Sequence, residues 1–310
     1  MSPDGLWSIG ELAGHAGVTV KTVRFYSDRG LLPESGRSAG GHRRYGPEAL
    51  DRLRLIRSLR TLDVPVAELG RVLGREDVRG DVLEDVVAAR LRELGSQLAA
   101  LRWREAALHL LRDCAAEERA DRLRLIGAVS VPPSTAALAR FWRRWLPPRL
   151  PARLVSEILE QTVPQLPADP APDQVLAFAR LHALVSGSCP GPGPHGQPAA
   201  HRPGEGYRPA VLYGGLGEAY ALAAERMREG RPPHRGEALD CFVSAYARSR
   251  GARDTPAFRR GLSRQLAADP RIDRYWDLTA ELISPPSGPP EPTPGSAHDW
   301  LLAALGDGAA

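Results

Sequence analysis

The sequence predicts a mainly α-helical chain: a helix-turn-helix head with a small β wing, one long connecting helix and an all-helical remainder. Three observations carry that prediction. Apolar residues recur at three- and four-residue steps from residue 8 to residue 73, with glycines at the points where helices end. A stretch of 33 residues, 81–113, contains no proline. From Val131 onward no apolar–polar alternation of strand type stands out, whereas helical periodicity returns repeatedly.

In the head, Ser8-Ile9-Gly10-Glu11 fits a capping box, and Ile9, Leu12, Ala13 and Ala16 then form the stripe of an amphipathic helix that Gly17 ends. Thr19 caps a second helix through about Arg29, with Val20, Val23 and either Phe25 or Tyr26 turned inward. Two short helices joined by a glycine-containing turn form a helix-turn-helix, whose second helix enters a DNA major groove N-terminal residues first. The residues so placed are Thr19, Lys21, Thr22 and, one turn on, Arg24. Gly30 closes this helix. A Gly40-Gly41 pair then sits between short extended arms carrying Arg37, His42, Arg43, Arg44 and Tyr45, which predicts a hairpin wing able to lie along a phosphate backbone. Pro47 opens a third helix with Leu50, Leu53, Ile56 and either Leu59 or Arg60 inward; Val64-Pro65 breaks it, and Val66, Leu69, Val72 and Leu73 make a fourth.

Charge follows the same division. Residues 1–75 hold 12 Lys and Arg against 8 Asp and Glu, a net of +4, and the remaining 235 residues balance at 29 of each. The positive excess therefore lies in the head, as phosphate binding requires. No run of about 18 apolar residues is present, and the N-terminus lacks a basic segment followed by an apolar one, so neither a transmembrane helix nor a secretory signal is expected and the chain reads as cytoplasmic. Three cysteines without C-x-x-C spacing oppose a disulfide scaffold and a structural zinc site, and no cofactor is expected.

Ser8-Ile9-Gly10-Glu11-Leu12-Ala13, Val23-Arg24-Phe25-Tyr26, Gly30-Leu31-Leu32 and Gly41-His42-Arg43-Arg44-Tyr45, in this order, resemble the N-terminal domain of the MerR family of bacterial transcription regulators. The resemblance runs through Leu73 and continues in kind to Cys114; beyond that it is weak. One departure is His42, where the family's wing carries tyrosine, although imidazole can also donate to a phosphate. The resemblance implies a homodimer that binds an inverted-repeat operator in double-stranded promoter DNA. It also implies that the dimer distorts the duplex so that RNA polymerase can engage the promoter. Arg24 and Tyr26 on the recognition helix, with Arg37, His42 and Arg43 on the wing, would hold the DNA. In metal-sensing relatives a cysteine at the place of Cys114 pairs with a second one several residues later; here the next is Cys189, so no metal site is expected.

In residues 81–113, Val87, Leu91, Leu94, Leu98, Leu101, Glu105 and Leu108 follow alternating four- and three-residue steps, a heptad seam with one polar member. The stretch is either half of a two-stranded coil, antiparallel by the resemblance, or an amphipathic helix packed on its own C-terminal domain. The domains expected are a DNA-binding head at 1–76, a dimerisation helix at 77–116 and a helical signal-receiving domain at 130–310. That last domain contains a flexible loop at 187–208 and predicted helices at 134–146, 151–161, 173–186, 209–229, 235–250, 256–267, 270–283 and 297–305. The loop holds Cys189, His195 and His201 at irregular spacing, read as linker rather than metal ligands. Aromatics gather in the helical domain, where they build a core or line a pocket for a small organic ligand. The motifs of hydrolases, zinc proteases, phosphate-binding loops and dinucleotide folds are missing, and the helix after Asp240-Cys241 has no usefully spaced histidine, so no enzyme is expected. The alternative to a ligand sensor is a regulator whose C-terminal domain binds a protein partner.

Overall fold

A computed structural model describes residues 5–74, 81–187, 201, 206–267, 273–285 and 287–306. It divides into two compact units, Met1–Ser96 and Gln97–Ala310. The division falls inside one long helix.

In the first unit, α1 (Ile9–Ala16) starts at the expected capping box. The Ser8 amide donates to the Glu11 carboxylate at 2.7 Å, and the Glu11 amide donates to the Ser8 hydroxyl at 3.3 Å. These bonds hold the Glu11 carboxyl below its ordinary pKa. Gly17 ends the helix at φ 62°, a left-handed cap that a side chain would strain. Helix α2 (Val20–Asp28) follows, with the Thr22 amide donating to Thr19 Oγ1 at 3.2 Å. Val23 and Tyr26 are its buried residues, whereas Val20 and Phe25 are exposed. Val20 thus departs from the expected inward face.

The wing is a two-stranded antiparallel hairpin of β1 (Gly36–Arg37) and β2 (Arg43–Arg44), with Gly36 opposite Arg44 and Arg37 opposite Arg43. Trp7 and Tyr45 exchange backbone bonds of 2.8 and 2.9 Å and extend this pairing to the chain's N-terminal segment. Helices α3 (Pro47–Thr61) and α4 (Val66–Leu73) complete the unit. Leu12, Val23, Tyr45, Leu53, Ile56 and Leu69 form the centre of its core. Arginines satisfy carbonyls at helix ends and in the connections: Arg57 donates to Ala16 at the end of α1, Arg52 to Leu73 at the end of α4 and to Leu31 after α2, and Arg60 to Val64 between α3 and α4. Part of the head's positive charge is therefore structural.

Helix α5 (Asp81–Asp113) has the bounds that the proline-free stretch predicts. The second unit adds α6 (Arg119–Gly127), α7 (Ala136–Trp145), α8 (Ala152–Thr162), α9 (Pro172–Ser186) and α10 (Pro209–Arg228), followed by α11 (Glu237–Ser249), α12 (Pro256–Ala267), α13 (Asp273–Ile283) and α14 (Pro294–Gly306). Only α6 is not anticipated by sequence; it has no fully buried residue and hence little apolar periodicity to betray it. Two main cores hold the unit, beside a smaller cluster of Leu146, Ile158 and Tyr213. One joins α10, α11, α12 and α14 around Phe242, Tyr246, Leu212 and Leu301; the other joins the end of α5 to α7, α9 and α13 around Trp103, Leu138, Phe178 and Tyr275.

Of the expected loop at 187–208, residues 188–200 and 202–205, with Cys189 and His195, lie outside the described residues. His201 is a correction: it is buried rather than on a linker, because its ring nitrogens meet two tyrosine hydroxyls inside the helical unit. Leu53→Ala, at a fully buried site of α3, is expected to destabilise the head by about 2–5 kcal/mol. Leu62→Ala, at an exposed site, should change it by under about 0.5 kcal/mol. Urea denaturation followed by circular dichroism compares the two, and equal effects would contradict the packing described.

Candidate nucleic-acid interface and helical cleft

Helix α2 and the wing both carry exposed basic residues. Lys21, Arg24 and Arg29 are exposed on α2, and the Arg29 guanidinium lies 3.6 Å from the centroid of the exposed Phe25 ring. Thr19 and Thr22 share a hydroxyl hydrogen bond of 2.9 Å at the N-terminus of that helix, so both are partly committed to capping. On the wing, Arg37 and His42 are exposed; Arg37 pairs with Glu34 at 3.2 Å, and the His42 amide donates to Ser38 Oγ.

Three of the predicted contact residues do more than face outward. Tyr45 is fully buried, and its hydroxyl shares a 2.7 Å hydrogen bond with Ser27 Oγ. Tyr26 is buried beside it in the same core. Arg43 is two-thirds buried; it donates to Ser27 Oγ at 3.0 Å and pairs with Asp28 at 2.6 Å and Glu34 at 3.3 Å. The Asp28 bond raises its pKa further above the guanidinium value. These residues pin the wing to α2, so Tyr26 and Tyr45 support the surface from beneath instead of forming it. The phenols are amphipathic, and their sequence positions look the same whether the hydroxyl meets a phosphate or a serine. Ser27, which joins both partners, carried no signal in the sequence beyond its place one residue after Tyr26.

Helix α5 carries two apolar stripes. Val86, Ala100, Trp103, Ala106 and Leu110 are buried within their own units. Val87, Leu91, Leu94, Leu98, Leu101 and Leu108 form the other stripe, and all six are exposed. The buried stripe packs on the chain's own units, and the heptad stripe is left exposed in the single chain. Cys114, at its end, is buried and donates to the Leu111 carbonyl at 3.3 Å. Among the described residues no three metal-ligating side chains converge.

The model of the MerR HTH family regulatory protein matches residues 7–76. Over 96 residues the chain is 35% identical to an HTH-type transcriptional regulator of Haemophilus influenzae, a ZntR homolog, which covers 28% of this chain and 71% of that protein. The chain belongs to the MerR family. It is also 42% identical over 94 residues to nodulation protein NolA of Bradyrhizobium sp. strain NC92, covering 30% of this chain and 38% of NolA. With HTH-type transcriptional activator TipA of Streptomyces coelicolor the identity is 40% over 99 residues, covering 31% of this chain and 39% of TipA. The match thus spans about two fifths of NolA or TipA. Residues 7–76 therefore form a helix-turn-helix domain of the MerR type, and no described helix is long and apolar enough to cross a membrane.

Outside the family match, the helical unit of this MerR regulator contains a cleft of about 960 Å3, its open mouth included. Trp142 and Trp145 from α7, Tyr213 and Tyr220 from α10, Trp276 from α13 and His298 from α14 line it, with apolar Leu146, Ile158, Leu216 and Leu266 between them. Its floor is a buried polar cluster. His201 Nδ1 lies 3.1 Å from the Tyr213 hydroxyl and Nε2 lies 3.0 Å from that of Tyr246. A neutral imidazole has one donor and one acceptor, which these two hydroxyls match. Burial lowers the His201 pKa to about 3, with the charges of His298 and Arg250 acting in the same direction. Burial likewise raises the Tyr213 and Tyr220 hydroxyls, so all three groups are neutral at pH 7. On the wall, the Tyr220 hydroxyl and His298 Nδ1 are 3.0 Å apart.

His201 predicts a pH dependence. The unfolded chain binds a proton near pH 6.5, whereas the folded one does so only near 3. Stability is therefore complete above pH 6.5 and falls as pH drops through this window, at most by about 1.4 kcal/mol per pH unit from this group. Thermal melts of the wild type and of His201→Gln between pH 7 and 4 should show a shallower decline in the variant. Parallel declines would mean that His201 is not held neutral.

Proposed function

We propose that the protein is a homodimeric MerR regulator that binds an inverted-repeat promoter operator in the cytoplasm and distorts it in response to a small organic ligand held in the helical unit. The observation that carries this reading is the linkage Ser27–Arg43–Tyr45, which joins α2 to the wing, with Lys21 and Arg24 exposed on the one and Arg37 and His42 on the other. Distorting a duplex costs several kcal/mol, and rigidly mounted phosphate contacts on two heads are the physical means of supplying it. The leucine stripe of α5 supports the dimer: six large apolar side chains in heptad register are exposed in a single chain, and an antiparallel partner helix would cover them. RNA polymerase is engaged through the promoter.

The cleft supports a small-molecule signal over a protein partner, because apolar walls with a few converging polar groups are the chemistry of ligand pockets. Its wall residue Trp142 belongs to the same core as Trp103 of α5, so an occupant that shifts α7 acts on the helix that carries the stripe.

Arg24→Ala should weaken operator binding by about 1–3 kcal/mol and lower the salt slope of log K by about one. Fluorescence anisotropy on the promoter fragment at several salt concentrations measures both, and unchanged affinity in a folded variant would remove Arg24 from the interface. Leu94→Glu combined with Leu101→Glu should yield a folded monomer by sedimentation velocity, with operator affinity lost along with the dimer. A persistent dimer would place the interface elsewhere.

A further inference from the structure

The exposed lysine and arginine side chains of the head fall into two groups. Arg37 pairs with Glu34 at 3.2 Å, Arg54 with Asp51 at 3.2 Å and Arg71 with Glu68 at 2.6 Å, while Arg57 and Arg60 donate to backbone carbonyls. Lys21, Arg24 and Arg29 make up the other group. They are exposed, and among the described residues none of them forms an ion pair or a side-chain hydrogen bond. All three stand on α2 or at its C-terminal cap. Lys21 and Arg24 already belong to the proposed DNA surface; Arg29 does not.

Arg29 is nonetheless held. Its guanidinium lies 3.6 Å from the centroid of the Phe25 ring. Asp28, its neighbour in the chain, is engaged by Arg43 at 2.6 Å. Phe25 is 39% exposed, on a helix whose buried apolar residues are Val23 and Tyr26. Lys21, Phe25 and Arg29 follow at four-residue steps, which places them on one face of the helix.

Contact with the ring limits the rotamers of the guanidinium and leaves its N–H groups without a protein acceptor. A planar fork held in one place, with donors to spare, suits the paired oxygens of a phosphate. We propose that Phe25 and Arg29 form a clamp for a DNA backbone phosphate at the C-terminal end of α2, the ring fixing the orientation in which the guanidinium meets the oxygens. An arginine placed beforehand loses less freedom on binding than a mobile one. Lys21 lies two turns earlier on the same face, so the helix meets the duplex along its length as well as at its N-terminus. This inference rests on the reading of α2 as the DNA-facing helix and adds two residues to its contacts.

The full-length wild type first selects a binding duplex from a random-sequence DNA pool, and fluorescence anisotropy then follows binding of each variant to that duplex at several salt concentrations. Arg29→Ala should weaken binding about tenfold and lower the salt slope of log K by about one, as the loss of one phosphate contact requires. Phe25→Ala should weaken binding about threefold and leave the slope unchanged, because the charge stays while its orientation is lost. In the Arg29→Ala background Phe25→Ala should have no further effect. Phe25→Tyr, which keeps a ring, should bind as the wild type does. Thermal melts of all variants should match that of the wild type, which separates a DNA contact from a pair that only stabilises the helix. Wild-type affinity and slope in Arg29→Ala, with Arg24→Ala weakened, overturn the clamp and leave α2 as the DNA-facing helix. Additive losses from Phe25→Ala and Arg29→Ala overturn the coupling and the clamp with it. Wild-type affinity in Arg24→Ala and Arg29→Ala alike, or a wild type that selects no duplex, overturns the clamp together with that reading of α2.

Discussion

The head depends on one buried contact, the hydrogen bond between the Tyr45 hydroxyl and Ser27. Tyr45 ends the wing, exchanges backbone bonds with Trp7 and fills the centre of the core. Ser27 lies in the last turn of the recognition helix, and its hydroxyl also receives the Arg43 guanidinium. Four pieces of chain, the N-terminal segment, α2 and both arms of the wing, therefore share one fixed point. Without it the wing would be a two-stranded ribbon with two residue pairs, too small to hold an orientation in water. This linkage ties the wing to the recognition helix.

Helix α5 shows how a single element serves two demands. Its 33 residues are longer than a globular core requires. Trp103, Ala106 and Leu110 are spent on the chain's own packing, and a second stripe of leucines, offset around the helix, stays in solvent. A stripe of that length is costly unless covered, and this is the physical ground for a dimer. The head's arginines divide in a similar way. Arg52, Arg57 and Arg60 donate to backbone carbonyls of helix ends and connections, while Arg24 and Arg37 remain on the surface. Net charge alone overstates how much of the basic character faces DNA.

In the helical unit the polar groups around the cleft are arranged so that none carries a charge at the floor. His201 between Tyr213 and Tyr246 satisfies both ring nitrogens, and burial keeps the ring neutral. A neutral cluster with both imidazole nitrogens bonded thus lies beside the indoles of Trp142 and Trp145.

The amino-acid sequence by itself determined the local elements. The capping box at Ser8 and Glu11, the end of α1 at Gly17, the wing around Gly40 and Gly41 and the span of α5 all follow from residues within a few positions of one another, and each is present as read. The basic surface was legible for the same reason: Arg24, Arg37 and His42 lie on a helix face and a hairpin whose geometry is local. Only the tertiary structure decided what depends on distant partners. The tyrosines at 26 and 45 turned inward because Ser27 and the core claimed them. His201, read as part of a linker, became buried because Tyr213 and Tyr246, 12 and 45 residues away, offered both of its nitrogens a hydroxyl. The cleft itself draws on six helices, and Gly295 leaves room there for Trp276. Local spacing sets helices and turns through backbone bonds of short reach. A site assembled from separate helices is set by side-chain packing and hydrogen-bond satisfaction, which no spacing in the sequence records.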